Sequence, residues 1–144
     1  MTADELTEKG ISSLRENNSL AALTNFEKAY NLKKTPLIQS YMGLCIALER
    51  GKITEAIALC NEALAKENDN PVHYLNLGRV YIKAGRKDEA IDICRKGLSF
   101  GDNAEIRKML DVLWIRRKPV LPFLPRGHFL NKYIGLLLYK ARLR

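Results

Sequence analysis

Three cysteines, two histidines and the lack of a long hydrophobic stretch set the first limits on this 144-residue chain. No Cys-x-x-Cys pair occurs, and neither His73 nor His128 has a partner at ligand spacing, so no metal or redox site is predicted. The longest apolar run, Ile134 to Tyr139, is far shorter than the ~18 to 20 residues a membrane-spanning helix needs. The amino terminus, Met1-Thr2-Ala3-Asp4-Glu5, is acidic and lacks the basic start and apolar stretch of a secretory signal. The cytoplasm is therefore the expected compartment, with Cys45, Cys60 and Cys94 reduced and packed in the core. There is no Gly-rich phosphate loop, and the serines lie in helical or turn contexts without a neighbouring histidine and carboxylate. No catalytic residue and no cofactor are predicted, and the chain reads as a non-enzyme.

What the chain does have is a period of 34 residues. Gly51-Lys52-Ile53-Thr54-Glu55-Ala56-Ile57 aligns with Gly85-Arg86-Lys87-Asp88-Glu89-Ala90-Ile91, and the same register pairs Cys60 with Cys94 and Leu64 with Leu98. One step earlier, Ala22, Phe26 and Ala29 pair with Ala56, Cys60 and Ala63. A period of this length marks stacked supersecondary units. Ala22, Ala56 and Ala90 give one helix of each unit a small side chain, so its partner can approach closely. Gly51 and Gly85 suit the left-handed conformation that stops a helix, and Glu55, Asp88 and Glu89 place acid where the next helix begins. A single unit cannot hide its apolar surface, so stability must come from stacking.

The segment Tyr74-Leu75-Asn76-Leu77-Gly78-Arg79-Val80-Tyr81, with Gly85, Glu89-Ala90-Ile91 and Lys96-Gly97-Leu98 after it, resembles the tetratricopeptide repeat. The resemblance implies an all-α fold, a right-handed α-solenoid of antiparallel helix pairs, with units at about residues 3–36, 37–70 and 71–104. It is weaker in the first unit, where Lys9, Ser13 and Asn17 replace the usual Leu, aromatic residue and turn Gly. In the second unit Leu44 stands where the family usually has Gly. The resemblance further implies that the first helix of each pair lines a concave groove that receives a partner segment. In the 34-residue register that face carries Thr7, Ile11 and Leu14, then Ile38, Tyr41, Cys45 and Leu48, then Leu75, Arg79, Ile82 and Lys83. Arg79 and Lys83 are one helical turn apart and could together hold an acidic group. The alternative is a solvated pair whose stems cover apolar neighbours.

Charge is divided unevenly along the chain. Residues 1–104 contain 14 basic and 14 acidic residues, whereas residues 105–144 contain 10 basic and 2 acidic ones. Ile106, Met109, Leu110, Leu113 and Trp114 follow helical spacing, so about 104–117 should form a capping helix, with Arg116 or Arg117 extending the basic end of the groove. Pro119, Pro122 and Pro125 then favour an extended strand, and about 128–143 should form an additional C-terminal amphipathic helix. The expected organisation is thus a repeat region over 1–117 and a proline-spaced basic tail over 118–144. The expected function is a protein-interaction adaptor that binds a protein or peptide partner through Tyr41, Cys45, Leu48, Leu75, Arg79, Ile82, Lys83, Arg116 and Arg117. Alternatives are a self-associating homo-oligomeric scaffold and a peripheral membrane adaptor whose residues 126–144 meet an anionic membrane surface. Nucleic acid ranks below these partners, because no recognised binding motif or stacking platform accompanies the charge.

Overall fold

The computed structural model describes residues 1–115, which form seven α-helices and no strand. Helices α1 (Ala3–Arg15) and α2 (Ser19–Leu32), α3 (Pro36–Arg50) and α4 (Ile53–Lys66), and α5 (Pro71–Lys83) and α6 (Lys87–Leu98) make three packed pairs. Helix α3 also packs on α2 and α5, and α5 on α4, so each pair is covered by the next. Met1–Ile106 is one compact unit, and a second begins at Arg107. Helix α7 (Ala104–Ile115) has Ile106, Leu110 and Leu113 buried and Met109 and Trp114 half-buried, which follows the apolar spacing of its sequence. The expected proline-spaced segment and C-terminal helix lie outside the described residues.

Local chemistry sets the helix ends. The side chains of Thr2, Asn18, Thr35 and Asn70 accept hydrogen bonds from the backbone N–H groups of Glu5, Ala21, Ile38 and Val72. Each such cap stabilises its helix by about 1 kcal/mol. Pro36 and Pro71 occupy the first helical turn, where a missing N–H leaves no hydrogen bond unmade. The turns inside the three pairs use positive φ at Asn17 (60°), Gly51 (65°) and Gly85 (75°), so Asn17 does in the first pair what glycine does in the others.

The contact between the helices of a pair is built from a small residue facing a fully buried one. Phe26, Cys60 and Cys94 on the second helices have no exposed surface, and Gly10, Gly43 and Gly78 on the first helices face them. A Cβ at these glycines would lie 2.7 Å from the Phe26 ring, 3.0 Å from Cys60 Sγ and 2.5 Å from Cys94 Sγ. Only glycine allows the backbone that close.

These contacts reveal a shift that the sequence period hides. The second helices begin at 19, 53 and 87 and keep the 34-residue spacing, but the first helices begin at 3, 36 and 71. Gly43 meets Ala56 O, Leu59 and Cys60, as Gly78 meets Ala90 O, Ile93 and Cys94, so α3 is advanced by one residue. Helix α3 absorbs the offset in its length, 15 residues against 13 in α1 and α5. The shift is forced sterically: Leu44 could not stand against Cys60, and it turns instead into the core with Leu77 and Val80. One residue is about 100° of helix rotation, enough to exchange a surface position for an interior one.

Candidate functional site

The one-residue advance of α3 decides where the expected partner-binding residues fall. In the packed register Cys45 corresponds to Val80 rather than to Arg79, and both are wholly buried. Leu48 corresponds to Lys83, and both are exposed. The ring of Tyr41 stacks on Phe26 at 5.1 Å between centroids, leaving 9 % of the residue at the surface. Leu75 is also buried, whereas Ile82 and Arg79 are half-buried. Leu48, Arg79, Ile82 and Lys83 therefore keep solvent access, while Cys45 and Leu75 underlie the surface. Arg116 and Arg117 lie outside the described residues.

The cation at this surface already has an internal partner. Arg79 Nη2 donates to Glu105 Oε2 at 2.5 Å, joining α5 to the first turn of α7. The Tyr41 hydroxyl is pushed above its ordinary range, first by burial. Arg79 and Arg15 act against that rise, and Glu105 and Glu8 add to it. One tyrosine thus lies within electrostatic reach of charges from α1, α5 and α7, in two opposite pairs.

Beneath the surface is a polar network that the sequence did not disclose. His73 and Ser40 are fully buried; His73 Nδ1 lies 2.9 Å from Ser40 Oγ, and His73 Nε2 lies 2.8 Å from Glu67 Oε1. Asn76 Nδ2 donates to Ser40 Oγ at 3.2 Å, and Asn70 Nδ2 donates to Glu67 Oε1 at 2.8 Å. The expectation that no serine has a histidine and carboxylate beside it is therefore corrected. Residues separated by 33 and 6 positions meet because α3 packs on α5 and the α4–α5 turn folds back on His73. A carboxylate can only accept, so Nε2 donates to Glu67, while Nδ1 shares a hydrogen bond with the Ser40 hydroxyl. Serine, histidine and glutamate stand in the order of a nucleophile, a base and its orienting acid. Buried Ser40 and His73, however, present no atom to a substrate. The arrangement ties two helices and a turn together.

Glu67 marks the outer end of this network, with 41 % of its side chain exposed. Its carboxyl is held below the ordinary range, first by the Asn70 amide and then by His73, against the opposing effect of partial burial. The three buried cysteines are inert for a different reason. Burial pushes the thiols of Cys45, Cys60 and Cys94 up to about 12, so they stay protonated near neutral pH. Among the described residues no group of three or more histidine, cysteine, aspartate or glutamate side chains is placed to hold a metal ion.

Comparison with known proteins bears on the fold. Residues 47–112 match the family model described as tetratricopeptide repeat. The Sgt2 TPR domain from Aspergillus fumigatus is similar at 15 % identity and a TM-score of 0.61, over 77 % of this chain and 76 % of that one. The first TPR of Spaghetti (RPAP3), solved bound to the HSP90 peptide SRMEEVD, is similar at 19 % identity and a TM-score of 0.59, over 78 % and 90 % of the two chains. A chain in the structure of Naa15/Naa10 bound to HypK-THB is similar at 23 % identity and a TM-score of 0.69, over 97 % of this chain and 20 % of that one. No curated protein matches the sequence. At these identities the likeness carries the fold, an all-α architecture of the tetratricopeptide-repeat type.

Proposed function

Because the chain is a tetratricopeptide-repeat protein, we propose that it is a non-enzymatic protein-interaction adaptor that receives a partner segment along its first helices. The observation that carries this reading is that Leu48 on α3, and Arg79, Ile82 and Lys83 on α5, which packs against α3, all keep solvent access. Leu48 is 36 % exposed on α3, and the helix packed against it, α5, carries two cations with their own solvent access. An apolar anchor rimmed by charge is the ordinary composition of a partner surface. Similar folds have been solved with an HSP90 peptide and with HypK-THB, which supports recognition of a protein segment as the mode. The cytoplasm is the compartment we propose, since all three cysteines are buried thiols, not disulfides.

Site-specific photo-crosslinking from positions 48 and 82 of the full chain, with position 92 on the exposed side of α6 as control, tests this function. Crosslinks to a protein partner are expected at 48 and 82. Leu48→Asp should then weaken that partner's binding about tenfold or more, by burying a charge in an apolar contact, with unchanged far-ultraviolet circular dichroism. Equal crosslinking from both faces, or unchanged affinity in Leu48→Asp, would show that the partner binds elsewhere.

A second reading is a peripheral membrane adaptor, favoured by the 10 basic against 2 acidic residues in 105–144. Among the described residues no helix is long and apolar enough to cross a membrane. Full-length chain should sediment with vesicles rich in phosphatidylserine, and residues 1–117 should remain in solution. Equal behaviour of the two chains would sink this version.

A further inference from the structure

We infer that Glu105 occupies, from within the chain, the anion position that Arg79 offers on the α5 face, so that an acidic partner segment binds there by exchange with Glu105. The inference deepens the adaptor reading and rests on it. It commits to one occupant, a segment with acidic side chains among apolar ones, because α5 presents Arg79 and Lys83 one turn apart with the half-buried Ile82 between them.

Three features make Glu105 exchangeable. The pair is open to water, with 32 % of the Arg79 side chain and 56 % of the Glu105 side chain exposed. Water screens such pairs, so Glu105 gains little by holding Arg79. The second feature is that Glu105 stands in the first turn of α7, beside the end where Asn103 Oδ1 accepts from Ile106 N–H. A carboxylate released from Arg79 keeps a favourable place at the positive end of that helix, so leaving costs little. Finally, Lys83 lies one turn along α5, where a second acidic group of the incoming segment can be met. Arg86 differs, because its carboxylate Glu89 lies three residues away and belongs to the same local turn. Glu105 reaches Arg79 across 26 residues and from another helix.

The test uses the full chain and a fluorescein-labelled nonapeptide of alternating leucine and glutamate with a free carboxyl terminus, beside its leucine and glutamine counterpart. Glu105→Gln is expected to tighten the acidic peptide about two- to fivefold, the factor that corresponds to an exposed ion pair. Arg79→Ala should abolish the preference for the acidic over the neutral peptide, and in the Arg79→Ala background Glu105→Gln should gain no more than Glu8→Gln does. Glu8→Gln removes the same charge near Tyr41 and serves as the control; it should give a smaller gain that survives in Arg79→Ala. Equal gains from Glu8→Gln and Glu105→Gln, no gain from Glu105→Gln, or no acidic binding by any variant would overturn the exchange. Sedimentation showing that Glu105→Gln associates with itself instead of taking the peptide would overturn it as well. Peptide binding that depends on Leu48 but not on Arg79 or Glu105 overturns the exchange and leaves the adaptor reading standing. Binding indifferent to all three positions overturns both.

Discussion

His73→Ala should lower stability by about 2–4 kcal/mol, read as a reduced urea midpoint at unchanged slope. The side chain is fully buried and fills the space between α3, α5 and the α4–α5 turn. Its removal deletes two hydrogen bonds, one of them to a carboxylate, and leaves a void. Two compensations keep the loss from being larger. Ser40 Oγ can still donate to Leu37 O, 3.2 Å away, and Glu67 retains Asn70 and water. His73→Leu, which refills the void, should therefore recover about half of the loss. Equal costs for the two variants would show that hydrogen bonding, not volume, dominates the site. Among the described residues Asn76 Oδ1 is buried without a hydrogen-bond partner.

The same network has a pH dependence with a defined sign. The Glu67 carboxyl is lowered in the fold, so its contribution is complete above about pH 4.5, the ordinary value, and is lost as pH falls through the lower folded value. Stability measured between pH 6 and pH 3 should fall more steeply in the parent than in Glu67→Gln. Parallel curves would place the acid sensitivity elsewhere.

Gly97→Ala and Gly78→Ala should each destabilise the fold despite the helix-forming advantage of alanine. That advantage is at most about 1 kcal/mol, whereas overpacking a filled interior costs about 1–3 kcal/mol. At Gly78 the added Cβ would lie 2.5 Å from Cys94 Sγ, and at Gly97 it would lie 2.6 Å from Tyr74 Cβ. The two clashes differ in kind. Cys94 Sγ can be removed, so Cys94→Ala should rescue Gly78→Ala with a coupling of about 1 kcal/mol in a double-mutant cycle. Tyr74 Cβ is fixed to the α5 backbone, so Gly97→Ala must push α5 and α6 apart and should lie at the upper end of the range. Additive losses for Gly78→Ala and Cys94→Ala would refute the close contact between α5 and α6.

The repeat was legible because its carriers are local. Ala22, Ala56 and Ala90 recur at 34 residues since every second helix meets the same steric demand, and Asn17, Gly51 and Gly85 mark the same turn by sharing positive φ. The apolar positions of α7 were legible for the same reason. The face of α3 was not. A period fixed by the second helices assigns Tyr41, Cys45 and Leu48 to one surface, but packing selects Gly43 for the contact with Cys60 and rotates the helix. Gly43 beside Leu44 was the available signal, since a glycine displaced by one residue still serves a close contact if the helix advances by one. The Ser40, His73 and Glu67 network left no comparable signal, because its members share no helix face and no motif spacing.

Sequence alone determined the repeat architecture of this protein and the division between an electrically neutral repeat region and a basic carboxyl end. Those properties follow from backbone preference, side-chain size and charge count, all of which act over one or two helical turns or simply add along the chain. Tertiary structure alone decided which groups meet: Arg79 with Glu105 and Ser40 with His73. The reason is geometric. A one-residue shift leaves the composition of α3 unchanged but turns its side chains by about 100°, and only the close packing of neighbouring helices selects between those rotations.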